Sequence, residues 1–592
     1  MKEIKNNIYM LKYIWGIRKS YIIITLILGI IGSASPVIMN LMIKEALDIF
    51  TFSENFNNFL RLLILYSSYS LILSIFSNYY NTIYSRFLIE DINEKILDDL
   101  YNKSRQIDLL EYDNHEFYNK YNFVLSNALD KAYNSVNIFS NLIAGLFGIG
   151  FLITLILTID PVMVIFALVA SIINFIINLK QSKLSYQIEK EINPSYRKIN
   201  YVGRIYYLKE FAKDLRITKV HRPLSDLYKK GKKGIVDVVK TRGKTQVFYS
   251  SLQNIIQIGA MAGIMVYLSK SLMNNNLTAG EFAAVFNSYS QLSGNIERIL
   301  GFFPQLYKNS LYIEDFKEFL EYENEDFEEK IQLKDYKEIE LSHVYFSYEA
   351  NKEILKDINI KIRKGEKIAL VGKNGAGKST IANIIQGYFQ PTKGEIYLNN
   401  IAYKKYDKDS ISKKIGSLAQ DFKTYSLTIL ENIFMDSKEN ISKTEIEDAK
   451  KVLKDLGLKE KIEKLPKALD TNITSELEEG VNFSGGELQK IALARVLIKD
   501  YELIILDEPS SALDAYSEKE IFEKILNKYS NESIILISHK LANVINVDRI
   551  YYIEDGQIVE EGSHKDLMDL GGYYKELFEI QAKNYIKSES RN

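Results

Sequence analysis

Five stretches of the chain carry no charged residue: Ser20–Ile43, Leu62–Ser85, Ala132–Ile159, Pro161–Leu179 and Gln246–Ser269. Each is long enough, as a helix, to cross a hydrocarbon layer, which takes about 20 apolar residues. The third and fourth form a hairpin broken only at Asp160-Pro161. A sixth candidate, Phe282–Tyr307, is interrupted by Glu297 and Arg298 and is rich in Asn, Ser and Gln. Polar residues in a membrane segment usually face a cavity, so this run reads as a pore-lining sixth helix. Lys12, Arg18 and Lys19 precede the first run and Gly32–Ser35 is small-residue material, as in a secretory signal. Yet the apolar pattern resumes past Pro36, and a cleaved peptide has a shorter core. The first run is therefore read as a membrane helix. Two long connections, Arg86–Lys131 and Lys180–Thr245, are neither Gly- nor Pro-rich and read as helices of mixed charge.

Further on, the pattern changes to short apolar runs. Lys367–Val371 reads as a strand and Ile381–Gln386 as a helix, with glycines between them. Ile415–Ala419 is strand-like and Leu488–Leu497 helical. Leu503–Leu506 and Ser533–Ile537 are wholly apolar (after Ser533), the pattern of buried parallel strands.

The turn after the first of these strands is Gly372-Lys373-Asn374-Gly375-Ala376-Gly377-Lys378-Ser379-Thr380, a match to G-x-x-x-x-G-K-[ST]. Glycines let successive backbone N–H groups turn inward as an anion nest, and the following helix N-terminus adds its dipole. In this motif Lys378 reaches the β- and γ-phosphates of a nucleoside triphosphate and Ser379 ligates Mg²⁺. Ser484-Gly485-Gly486-Glu487 is a second small-residue nest ahead of a helix. Asp507 ends an apolar strand, where it can hold the Mg²⁺ shell, with Glu508 beside it to polarise a water. Ser538 and His539 end the next strand, at the same edge.

This order and spacing resemble the ATP-binding cassette ATPases over about residues 338–580, and six spans with two long helical loops resemble the exporter-type membrane domain of ABC transporters. The fold implied is multi-domain: an all-α six-helix transmembrane domain (1–310), an acidic linker (311–337), and an α/β P-loop ATPase domain (338–592). The resemblance implies ATP and Mg²⁺ as cofactors. By the same resemblance Tyr348 is expected to stack on adenine, and Gly372, Asn374, Gly375, Gly377, Lys378, Ser379 and Thr380 to hold the phosphates. Ser379, Gln420 and Asp507 are the expected metal ligands. Glu508 is the expected general base, assisted by Lys378, Gln420 and His539. The resemblance further implies that Ser484, Gly485, Gly486 and Glu487 cover the γ-phosphate bound by the opposite chain. Glu478-Glu479-Gly480 looks like an exporter-specific loop, and Ser511-Ala512-Leu513-Asp514 like one crossing to the partner. Leu110–Tyr118 and Lys209–Arg216 look like the two short transverse helices by which the membrane loops dock on the ATPase. Two positions depart from the family pattern: Phe483 replaces its leucine and Glu487 its glutamine.

Composition adds less. The chain is 46% hydrophobic and 26% charged with net charge −1, an average that hides charges crowded into the second half. Basic residues gather at the N-terminus and between Lys180 and Lys244, whereas the turn at Asp160-Pro161 has none. Positive charge prefers the cytoplasm, so both termini and the ATPase are expected inside the cytoplasmic membrane. Glu189, Glu191, Glu210 and Asp214 within the basic segment mark a solvated helical surface, not a nucleic-acid site. Zero cysteines exclude disulfides, zinc thiolate sites and a cysteine-protease domain. Of the five histidines, His115, His221, His343 and His564 read as surface or structural residues.

One membrane half and one cassette imply a half-transporter that needs a second chain, the homodimer favoured over a heterodimer. The function expected is ATP-driven export of an amphipathic drug, lipid or peptide. Tyr79, Tyr80, Tyr84 and Asn287 are its expected cavity residues. The alternatives are an importer on the same fold, or a membrane ATPase regulator without cargo.

Overall fold

A computed structural model of the chain describes every residue except 1, 53–55, 323–329, 349–351, 476–479, 510–514, 530 and 590–592. Glu478-Glu479, Ser511–Asp514 and most of the acidic run lie outside the described residues. The chain divides into two compact units, Met1–Ile107 with His115–Tyr322, and Asp108–Asn114 with Glu323–Asn592.

The first unit is helical: α1 (Lys2–Phe52), α2 (Phe56–Tyr79), α3 (Ser85–Ser104) and, beyond α4 (Leu109–Asp113) of the second unit, α5 (His115–Ile159), α6 (Pro161–Tyr207), α7 (Ala212–Ile217), α8 (His221–Met273) and α9 (Ala279–Leu320). All six expected spans fall on long helices. Among the described residues, Lys2–Ile49, Phe59–Ser104, Lys120–Ile159 and His221–Met273 are long and apolar enough to cross a membrane. The fourth expected run lies on α6, and the sixth on α9, which carries Glu297 and Arg298. α6 has 47 residues, roughly 70 Å at 1.5 Å per residue, so it extends far beyond a hydrocarbon core of about 30 Å. The Asp160-Pro161 turn starts it efficiently. The Asp160 carboxylate accepts from Val162 N at 2.9 Å, and Pro161 sits where its missing N–H costs nothing. α9 starts with a capping box between Thr278 and Glu281.

Three expectations need correction. α9 continues to Leu320, so residues 311–320 are helix and not linker; Tyr312, Ile313, Phe316 and Phe319 are buried on it, which explains why the helix persists. Tyr80 does not line a cavity. It is buried at the start of a π-helical turn, Tyr80–Tyr84, with its hydroxyl 2.8 Å from Thr25 Oγ1 and donating to Tyr21 O at 3.1 Å. The first transverse helix is only Leu109–Asp113, because Asn114 turns extended and α5 begins at His115. Asp108 caps it by accepting from Leu110 N at 3.1 Å. The second comprises a 3₁₀ turn, Lys209–Phe211, and α7. Phe211 and Leu215 pack on Val202, Ile205 and Leu224, while Ile217 is 80% exposed.

The second unit is built on two sheets. β1 (Glu338–Ser347), β2 (Glu353–Arg363), β4 (Lys393–Leu398) and β5 (Ile401–Ala402) form an antiparallel sheet in the order β2-β1-β4-β5. β3 (Lys367–Gly372), β6 (Ile415–Leu418), β7 (Leu503–Asp507), β8 (Ser533–Ile537), β9 (Arg549–Glu554) and β10 (Gln557–Gly562) form the other, in the order β10-β9-β3-β8-β7-β6. All of its pairings are parallel except β9 with β10. Its apolar runs divide by strand alternation. Ala369, Val371, Ile504, Leu506, Ile534 and Leu536 join the core on one face. Ile368, Leu370, Leu503, Ile505, Ile535 and Ile537 join the core on the other, against which Leu110 of α4 also packs. Both faces being covered is why these runs lack polar positions. Ile504→Ala, at a fully buried position, is expected to destabilise the second unit by about 2–5 kcal/mol, read as a lowered denaturation midpoint of the purified chain.

Candidate active site

The carboxyl ends of β3, β6, β7 and β8 lie side by side, and each feeds the site. After β3 the chain turns through Gly375 and Gly377, at φ 79° and 102°, into α10 (Lys378–Ile385). Gly372 itself has φ 145°, and a Cβ there would stand 2.0 Å from Ile553 O. No side chain fits, so the glycine is required by both backbone and space. Lys378 is buried, 5% exposed, and its ammonium donates to Gly372 O at 3.0 Å and Lys373 O at 2.9 Å. Burial lowers its pKa, with Glu508 and Asp507 pulling the other way.

Glu508 follows β7 with a left-handed backbone, φ 48°, an unusual conformation for a non-glycine residue. Its carboxylate is held from two sides: Gln420 Nε2 donates to Oε2 at 3.0 Å, and His539 Nε2 is 2.5 Å from Oε1. Gln420 comes from the loop after β6 and His539 from the loop after β8. Gln489, which no sequence signal singled out, is 1% exposed and donates to the Glu508 carbonyl at 3.2 Å.

Tyr348, Asn374, Gly375, Gly377, Lys378, Ser379, Thr380, Gln420, Glu508 and His539 line one cleft of about 440 Å³, together with Ile354, another residue sequence reasoning missed. Tyr348 stands at its rim, 45% exposed, its hydroxyl 3.2 Å from Thr380 Oγ1 and its ring edge-to-face with Phe346 and Phe389. Gly372 does not line the cleft, and its carbonyl accepts from Lys378. Ser484, Gly485, Gly486 and Glu487 do not line the cleft; they open the helix Gly485–Leu497, whose Gln489 reaches the Glu508 carbonyl. His564 bonds Tyr574 through Nδ1 at 2.8 Å, a structural role.

The site also suits a hard cation. Asp507 Oδ1 is buried without a hydrogen-bond partner, and the same carboxyl is bonded by Ser379. Burial raises the Asp507 pKa, the Ser379 bond opposes that, and Glu508 adds to it. A buried, unsatisfied carboxylate oxygen beside a hydroxyl fits Mg²⁺, which takes few protein oxygens and completes its shell with phosphate and water. Among the described residues no group of three or more His, Cys, Asp or Glu could hold a metal by itself.

A phosphate loop, a clamped carboxylate at the end of a parallel strand and a second glycine nest define an ATP-binding ATPase domain. Residues 355–511 match the family described as ABC transporter. The chain is 31% identical over 594 residues to the nisin transport ATP-binding protein NisT of Lactococcus lactis subsp. lactis, covering 96% of this chain and 95% of that one. It is 34% identical over 336 residues to the ATP-dependent lipid A-core flippase of Pasteurella multocida (strain Pm70), 56% of each chain. Its fold matches the solved structure of a bacterial Atm1-family ABC exporter with ATP bound, with a TM-score of 0.77 at 20% identity over 95% of this chain and 98% of that one. The chain belongs to the ABC transporters. It is a membrane protein with an exporter-type fold and an ATPase domain.

Lys378→Ala removes a buried point charge from the loop, and ATP affinity is expected to fall at least about tenfold. Equilibrium binding of a fluorescent ATP analogue checks this; unchanged affinity would remove the loop from nucleotide binding.

Proposed function

We propose that the chain is one half of an ATP-driven exporter for an amphipathic substrate, with Glu508 as the general base. The carrying observation is the carboxylate of Glu508, fixed between Gln420 and His539 at the mouth of the phosphate-loop cleft. Tyr348 stacks on adenine, while Asn374, Gly375, Gly377, Lys378 and Thr380 grip the phosphates. Ser379, Asp507 and Gln420 hold Mg²⁺, which supplies charge neutralisation on the phosphates when bound. Glu508 accepts a proton from water as the water oxygen bonds to the γ-phosphorus. The bond from that phosphorus to the β–γ bridging oxygen breaks, its electrons leaving with ADP. Lys378 and His539 stabilise the charge on the transferring group.

None of the Ser484 nest residues lines the cleft of its own chain, which supports their use in trans: the nest covers ATP bound by a second chain, and the favoured assembly is a homodimer. The membrane-spanning segments belong to the helical unit, whose last helix runs to Leu320, and lie in the cytoplasmic membrane with both termini and the ATPase unit inside, as the basic residues between Lys180 and Lys244 indicate. An amphipathic cargo agrees with relatives named for nisin and for lipid A-core.

Glu508→Gln is expected to keep ATP affinity within a few-fold, reduce turnover at least about 100-fold and accumulate an ATP-bound closed dimer. Normal turnover would remove Glu508 from its role. The homodimer is tested by mixing Ser484→Arg with Lys378→Ala chains in lipid. In one hybrid both defects fall in the same composite site, leaving the other complete, so the mixture should regain activity that neither variant shows alone. A well-folded, inactive wild-type chain would point to a heterodimer.

A further inference from the structure

The two residues that depart from the family pattern share one partner. Lys461, in the short helix Lys459–Glu463, places its ammonium 2.6 Å from Glu487 Oε2 and 4.9 Å from the centre of the Phe483 ring. The same Glu487 oxygen accepts from Ser484 N at 2.8 Å, closing a capping box at the start of the helix Gly485–Leu497. Burial works to raise the Glu487 pKa, but Lys461 and Ser484 hold it below its ordinary value, so the carboxylate is charged at neutral pH.

That charge is a problem for an anion nest. An amide at position 487 could make the same bond to Ser484 N without a charge. A carboxylate bonded to the nest's own backbone puts a negative charge at a helix N-terminus that must receive a triphosphate, and like charges there repel. The Lys461 ammonium makes the pair neutral. Its contact with the face of Phe483, which is 9% exposed, ties the residue before Ser484 to the same cation. Lys461 thus sits against both flanks of the nest.

We infer that Lys461 is a positioning residue for ATP hydrolysis: by neutralising Glu487 and anchoring Phe483 it lets the Ser484 nest accept the γ-phosphate of ATP held by a second chain. This rests on the proposed use of the nest in trans. Phe483, Glu487 and Lys461 are then one matched set, and the departures belong to a working site.

The test is a kinetic cycle on the full chain in lipid nanodiscs, with ATP–Mg²⁺ as the varied substrate. Lys461→Gln should raise the apparent KM for ATP roughly three- to fivefold, the scale of losing one partly exposed charge pair. Lys461→Arg, which keeps the charge and the ring contact, should recover most of that loss. In the Glu487→Gln background the same Lys461→Gln change should shift KM by a clearly smaller factor, because no charge remains to neutralise and only the Phe483 contact is lost. Comparison within that background also divides out any effect of Lys461 on folding. Raising the salt concentration should shrink the Lys461→Gln defect, as screening weakens the exposed repulsion. A wild-type KM for Lys461→Gln, or an equal rise with and without Glu487, would overturn the inference. If Ser484→Arg alone retained wild-type turnover, the trans reading would fail instead. An inactive Ser484→Arg beside a normal Lys461→Gln would overturn only the role of Lys461.

Discussion

Because β3, β7 and β8 run parallel with both faces packed, polar side chains have nowhere to stand along them, and the chemistry is confined to their carboxyl ends. Everything at the cleft depends on that confinement. The pairing of β3 and β7 to β8 puts the phosphate loop and Glu508 on one line. The parallel direction puts His539 beside them. The positive φ at Gly375, Gly377 and Glu508 then turns the chain sharply enough for loop, carboxylate and imidazole to meet in one small volume.

Much of this was legible in the sequence, because it is encoded locally. A glycine run between a strand and a helix, or a carboxylate pair closing an apolar run, follows from a few adjacent residues. Membrane helices announce themselves by the absence of charge. Other features depend on partners far along the chain. Burial of Tyr312 and Phe316 on the first unit carries α9 to Leu320, against the acidic composition of that stretch. Tyr80 looked like a cavity residue until α1 supplied Thr25 and the Tyr21 carbonyl. Gln489 resembles any glutamine on a helix, and only the fold sets it under the Glu508 carbonyl.

Phe483 and Glu487 show the same limit from the other side. Read singly, each is a departure that weakens the match to the family pattern. Their common contact with Lys461 lies 22 and 26 residues away in sequence, and mixed-charge surface helices contain many lysines that do nothing of the kind. A substitution at a motif is interpretable only together with the side chains that touch it.

The membership of α4 makes the second unit discontinuous in sequence. The chain leaves the helical unit at Ile107, folds seven residues into the ATPase unit, and returns at His115 before crossing again after Tyr322. The ATPase unit is therefore tethered at three points, two of them the ends of α3 and α5. A fragment beginning after Tyr322 would lack these seven residues, Leu110 among them, which packs into that unit's own core.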